Sequence, residues 1–449
     1  MPSSTDRSPR PATPAANPSY RRGVVMVAAA SSIAPIVGLV ASPLLSQNLG
    51  VDGRGALAAA LAPSLMLIEV VHLGMPDAVA YFSAKHPSFR RRAVVLAALM
   101  SLPVVVLGVV VVMLTSPFLA SGYEGLTTLI NLAALSVLPI VMIGFLRGAA
   151  IGAQRWTMTA SERVLNPVLR MVGLVACAVA GVLDLRNALL VMITAPLLAG
   201  LLYLPLLRAP AREAGATLDA PSARMLLSFG TRSWIGGIAT MLMARLPELL
   251  IAPLSDFEQL GLFVVCLTIS GVPFVVVSAI AQVVFGSNAA ERNDDRLLGT
   301  SSVSFVMAVA ISLVLAITVP WWIEPIFGRG FQAAVVPTWI GLLSSVVLVP
   351  AMIAGSGIMA AGRPGRRSIA LLLALACYTV LLLVMVPSTG ATGAACADLV
   401  GNLVVGGYCI RVCQRDLGMS PWRFFIPRRH DLLRLRDAAT TLVTRRRSA

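Results

Sequence analysis

Runs of about twenty or more apolar residues follow one another from Val24 to Cys413, each long enough to cross a hydrocarbon core of about 30 Å as a helix. The series also repeats. Gly122-Tyr123-Glu124 opens a run that ends at Arg155, and Gly330-Phe331-Gln332 opens another that ends at Arg363, 208 residues further on. Pro43-Leu44 returns as Pro253-Leu254 after 210 residues. A repeat of this length in an apolar chain describes two related membrane bundles joined in tandem, the plan of transporters whose halves rock around a central cavity.

Composition agrees with lipid as the solvent. Of 449 residues, 57% are hydrophobic and 12% charged, more apolar surface than a water-soluble domain can hide. The strict in/out alternation of a transmembrane barrel strand is absent. The predicted fold is therefore an all-α polytopic membrane protein with about twelve transmembrane helices. They form two six-helix lobes related by a pseudo-two-fold axis along the membrane normal.

The net charge of +15 invites a nucleic-acid reading, but the distribution of charge opposes it. Lys85 is the one lysine, and the arginines gather in alternate short loops and in the tail. With twelve spans, 29 positive residues fall on the side that holds both termini. Three (Arg54, Arg186, Arg329) fall in loops on the other side, and three (Arg170, Arg232, Arg245) fall within spans. Positive residues stay on the cytoplasmic side, so both termini are expected inside a bacterial cytoplasmic membrane, with no nucleic-acid partner.

The chain divides accordingly. Residues 1–20 are polar and proline-rich and are expected to be disordered. Residues 21–207 form an N-lobe, 208–225 an inter-lobe linker, 226–413 a C-lobe, and 414–449 a basic tail. The run from Val24 to Leu45 is long for a cleaved signal peptide and reads as the first span. The six cysteines all lie in or at the ends of apolar spans, which suits packing thiols better than disulfides.

Charged residues inside the bilayer cost about 2.5–3.5 kcal/mol each on insertion scales, so each one present needs a cavity or a partner. Arg170 lies near the middle of the fifth span, and Arg245 and Arg232 lie in the seventh. Arg147 stands at the inner end of the fourth. An arginine keeps its charge and forks two hydrogen bonds onto a phosphate, which makes these four the candidate cavity residues for an anionic headgroup. Each has a plainer alternative. Glu248 stands three residues after Arg245 and can neutralise it. Arg232 can snorkel to the interface, and Arg147 can serve topology alone.

Glu69 and His72 share a helix face in the second span, with Asp77 near its inner end, and Asp398 lies among small residues in the twelfth. With Glu248 these are the candidates for coupling to a cation, H+ or Na+, against the alternative of structural hydrogen bonds. Prolines interrupt many spans, and Pro167 near Arg170 and Pro247 near Arg245 are placed where a bent helix would open onto a cavity. The loop Gly362-Arg363-Pro364-Gly365-Arg366-Arg367 is superficially like the glycine-arginine loop of major facilitator carriers, but it lacks the acid and the position of that loop. Nucleotide-binding loops, metal-spaced histidines and nucleophile elbows are absent from the sequence.

Several segments in order resemble the polysaccharide (oligosaccharide) flippase branch of the multidrug/oligosaccharidyl-lipid/polysaccharide exporter superfamily. They are Ser42-Pro43-Leu44-Leu45; Phe145-Leu146-Arg147-Gly148 through Gly152, with Asn166-Pro167; Leu227-Ser228-Phe229-Gly230; and Ile326-Phe327-Gly328, with Gly390 through Ala395. The resemblance covers residues 24–413. It implies a V-shaped cavity, alternating access and a polyprenyl-diphosphate-linked glycan as cargo. The cargo would move from the cytoplasmic to the outer leaflet for cell-surface polysaccharide biosynthesis. Membrane lipid and a polysaccharide polymerase or glycosyltransferases are the partners implied. Many relatives carry an acid in span seven without an adjacent arginine, whereas Arg245-Leu246-Pro247-Glu248 stands here. Other readings are a cation-coupled multidrug exporter and a peptidoglycan lipid precursor flippase. An enzyme is disfavoured, because the outer loops are too short to build an acceptor site.

Overall fold

The computed structural model describes residues 18–208, 222–277 and 294–428. The expected disordered N-terminus, most of the 208–225 linker and the end of the basic tail lie outside the described residues. Those described form helices and short turns, with no strand among them.

The first two crossings belong to α1 (Pro18–Ser31), α2 (Ile33–Val71) and α3 (Met75–Lys85). The next four are α4 (Arg90–Leu119), α5 with α6 (Leu126–Leu135, Val137–Gly152), α7 (Trp156–Val179) and α8 (Leu185–Gly200), which leads into the short α9 (Leu204–Arg208). The second half runs through α10 (Ala223–Leu254), α11 (Phe257–Ser270), α12 (Asp294–Phe327), α13 (Val335–Ala360) and α14 (Pro364–Leu417).

Among the described residues, eight helical stretches are long and apolar enough to cross a bilayer. Two of them turn back on themselves. α2 breaks at Gly50 (φ 69°, ψ −174°) and α14 at Gly390 (φ 53°, ψ −127°), backbone conformations that only glycine adopts without strain. Each therefore crosses twice. α7 and α10 carry internal charges but, with 24 and 32 residues, they have the length to cross. Twelve crossings in two lobes of six follow, and an even number leaves both ends of the bundle's chain on one face.

Lipid-facing positions are apolar: Leu114, Phe118 and Val179 are 76%, 72% and 84% exposed. Inside, small residues bring helices together, as membrane packing requires where no water is expelled. Ala56, Ala58, Ala59, Ala60 and Ala62 are all buried along α2.

The lobes close on each other at the face away from the termini. A Cβ on Gly55 would strike the carbonyl of Phe257, and one on Gly261 would strike the carbonyl of Val51. Gly55 and Gly261 thus meet each other at the start of spans two and eight. Gln47 donates to the Ile326 carbonyl at 2.7 Å, and Tyr123 packs edge-on to Phe257 at 5.1 Å between centroids.

After α14, a turn of 3₁₀ helix at Pro421–Phe424 folds back on the second lobe. Phe424 is fully buried, its carbonyl accepts from Ser301 at 3.0 Å, and Arg423 pairs with Asp295. The part of the tail that is described is thus tied down.

Candidate functional site

Span two ends in a sharp break. Leu73 and Gly74 both have positive φ (48° and 66°), and α3 restarts at Met75. The break lets span two meet span seven backbone to backbone. A Cβ on Gly230 would lie 2.7 Å from the Leu73 carbonyl oxygen, and one on Gly74 would strike the carbonyl of Gly230. Tyr81 stacks on Phe229 at 4.7 Å, and Trp234 donates its indole N–H to the Glu69 carbonyl at 3.1 Å.

Above this seam lies a cavity of about 270 Å³ lined by Glu69, His72, Asp77 and Trp234. Glu69 and His72 face each other at 3.2 Å, as their shared helix face predicts. Glu69 and Met241 also line a second cavity, of about 610 Å³, walled by spans two and seven and by the ends of spans ten and eleven. Arg245 and Arg367 stand in its wall. Arg245 binds both oxygens of Glu248, at 3.2 and 3.0 Å, so the in-helix pair anticipated as its alternative is formed. Its side chain nevertheless remains 36% exposed.

Glu248 also acts electrostatically on Arg54. The sequence reading put Arg54 in an outer loop. That placement is corrected here, because α2 resumes directly after the Gly50 break and carries Arg54 inward. Arg54 lines a third pocket, of about 420 Å³, between span one (Ile36, Leu39) and span eight (Leu267, Val276). Arg54 and Arg245 thus stand one in each of the two larger inter-lobe pockets, with Glu248 hydrogen-bonded to Arg245.

In the first lobe, Arg147 forks onto both oxygens of Glu162 at 3.1 and 2.9 Å. Glu162 is 2% exposed and also accepts from the Tyr203 hydroxyl at 3.4 Å. Arg147 remains 37% exposed and lies within electrostatic reach of Glu69. Arg163, Asn166 and Arg170 follow on one stripe of α7, and each has a buried polar atom without a hydrogen-bond partner. No carboxylate among the described residues pairs with Arg170.

In the second lobe, Asp398 accepts from Ser344 at 2.6 Å and from Asn402 at 3.3 Å, and Asn402 donates to Ser344 at 2.9 Å. The carboxylate is therefore satisfied by neutral partners across spans ten and twelve. The side chain of Arg232 lies outside the described residues.

The structure accordingly gathers Glu69, His72, Asp77, Arg245 and Glu248 around adjoining inter-lobe cavities, with Arg147 in electrostatic reach. Arg170 and Asp398 stand apart from that set, each within its own lobe. Sequence reasoning missed Glu162 and Arg54. Glu162 lies 15 residues from its arginine, and no helical period links the two.

A family model described as polysaccharide biosynthesis protein matches residues 20–285, more than half of the chain. The chain belongs to the polysaccharide biosynthesis protein family. No curated protein matches it significantly.

Solved structures share the fold at low identity. An inward-facing multidrug resistance MATE family transporter of the MOP superfamily is 14% identical, with a TM-score of 0.64 over 89% of this chain and 100% of that one. The lipid II flippase MurJ in its inward closed conformation is 11% identical, with a TM-score of 0.66 over 94% of this chain and 92% of that one. An outward-facing MATE family transporter is 15% identical, with a TM-score of 0.58 over 86% and 93%. The chain is thus a multi-pass membrane protein of the polysaccharide biosynthesis family whose fold is that of the MATE transporters and of the lipid II flippase.

Proposed function

We propose that this chain carries a polyprenyl-diphosphate-linked oligosaccharide from the cytoplasmic to the outer leaflet by alternating access, without covalent chemistry. The observation that carries the reading is the inter-lobe cavity of about 610 Å³ with arginine in its wall. That volume falls within the ~300–1,000 Å³ of ordinary ligand pockets and suits a diphosphate with its first sugar, leaving the rest of the glycan toward the open mouth. Fixed guanidinium charge inside the bilayer is costly, and a bound diphosphate offsets the cost. The pocket between spans one and eight, apolar apart from Arg54 and Thr268, gives the lipid tail a way to stay in the bilayer while the head is held.

Rocking of the lobes about the Gly55–Gly261 contact would then turn the cavity outward. Asp398 with Ser344 and Asn402, and Glu248 beside Arg245, are the groups through which H+ or Na+ would drive that step. A polymerase and glycosyltransferases would act on either side of the transfer.

The test is reconstitution in liposomes with a fluorescent polyprenyl-diphosphate sugar. Wild type should exchange the lipid between leaflets, and an Arg245→Ala variant should lose most of that exchange. Equal exchange by both would refute the role given to Arg245, and an inert wild type would refute the cargo.

The carboxylates of the second lobe support a second reading, a cation-coupled exporter of amphiphilic compounds. Drug efflux that depends on a pH or sodium gradient, with no lipid exchange, would favour it. Exchange confined to the peptidoglycan lipid precursor would point instead to that narrower cargo.

A further inference from the structure

The three arginines of the loop that begins at Gly362 have different fates. Arg363 pairs with Asp416 at 2.6 Å, and Arg366 lies 3.9 Å from the same carboxylate. They fasten the start of span eleven to the end of span twelve. Arg367 turns the other way. Its side chain lies across Gly355 of span ten, where an added Cβ would sit 3.2 Å from its Nε, and its Nη1 rests against the Met359 sulfur at 2.7 Å. It lines the cavity of about 610 Å³ together with Arg245 and Glu69.

A charge count of that cavity separates the two arginines. Arg245 is already matched by Glu248, and Glu69 is engaged by His72. Arg367 has no carboxylate partner among the described residues. Its place in the first turn of span eleven, about 5 Å from the helix start, sets it at the mouth rather than in the depth of the cavity.

We propose that Arg367 is the docking residue for the diphosphate of the lipid-borne cargo, receiving it at the termini-side mouth before it reaches Arg245. This rests on the transport reading above and adds to it the residue that makes first contact. A free, forked guanidinium binds a diphosphate with two charge-assisted hydrogen bonds, whereas Arg245 would first have to release Glu248.

The experiment measures binding of a sugar-free polyprenyl diphosphate to the full-length protein in nanodiscs, with inorganic diphosphate and a polyprenyl alcohol as separate arms. Wild type should bind the lipid diphosphate well, and the alcohol and the soluble anion at least tenfold more weakly, about 1.4 kcal/mol. Arg367→Ala and Arg367→Gln should each raise the Kd about tenfold. Arg367→Lys should recover part of the loss, and Arg363→Ala in the same loop should change the Kd less than about twofold. Thermal midpoints of the variants within a few degrees of wild type identify the loss as one of binding rather than folding.

The proposal is overturned if the Arg367 variants bind as wild type does, or if Arg363→Ala weakens binding as much as Arg367→Ala, which would reduce the effect to general surface charge. Inorganic diphosphate binding as tightly as the lipid would overturn the lipid-borne source. A wild type that binds no lipid diphosphate would bring down the transport reading as well. Failure of the Arg367 variants alone leaves that reading standing.

Discussion

Span two meets span seven through glycine backbones, whereas spans eight and one, their counterparts in the repeat, enclose an apolar pocket of about 420 Å³. The nearest polar link described across the second seam is a side-chain contact, Ser42 to Thr268 at 3.3 Å. Duplicated halves offer equivalent seams, and divergence of a few residues has made one tight and left room in the other. The small residues went where backbones touch, and Ile36, Leu39 and Val276 went where a chain of hydrocarbon would be accommodated. The two seams therefore differ in build: one is closed by backbone contact and the other leaves a pocket.

Substitutions sharpen that contrast. The largest effect on stability should fall inside a lobe rather than at either seam. Arg147→Ala leaves Glu162 buried without its counter-charge and should cost about 3–5 kcal/mol, read as a fall in the unfolding midpoint in detergent. Next comes the tight seam. Gly74→Ala combines a positive φ with a collision against Gly230 and should cost about 2–4 kcal/mol while reducing transport.

Gly230→Ala has only the collision and should cost about 1–3 kcal/mol. Trp234→Phe keeps an aromatic ring, though a smaller one, and loses the hydrogen bond to the Glu69 carbonyl, for about 0.5–1.5 kcal/mol. The smallest effect belongs to the other seam. Gly38 has nothing within 4 Å of an added Cβ, so Gly38→Ala should raise stability by up to about 1 kcal/mol through helix propensity. Equal costs for Gly230→Ala and Gly38→Ala would erase the distinction between the seams.

Much of the architecture could be read from the sequence because lipid imposes it. Apolar runs of spanning length gave the crossings, and the offset of 208 to 210 residues gave the two tandem halves. Contacts at helical spacing were also legible: Glu69 with His72 and Arg245 with Glu248 lie three apart and do meet. Tertiary pairs were not. Arg147 finds Glu162 across a turn, and Asp398 finds Ser344 from 54 residues away, separations that carry no periodic signal.

Arg54 was misplaced for a different reason. Hydropathy marks Gly50 through Arg54 as a polar break, and a polar break reads as a loop, whereas here one glycine turns the chain and the helix continues. The same logic counted Arg367 as a topology residue among its neighbours, when only the fold shows it turned to the cavity.

The most direct test of lipid passage between the lobes is to map where the tail lies. A polyprenyl-diphosphate sugar with a photoactivatable group on its first isoprene units would be cross-linked to the reconstituted wild-type protein and the adducts located by mass spectrometry. Adducts on Ile36, Leu39 and the stretch from Leu267 to Val276 are the expected result. Adducts concentrated on Tyr81, Phe229 and Trp234 instead, or on the outer lipid-facing helices alone, would contradict it.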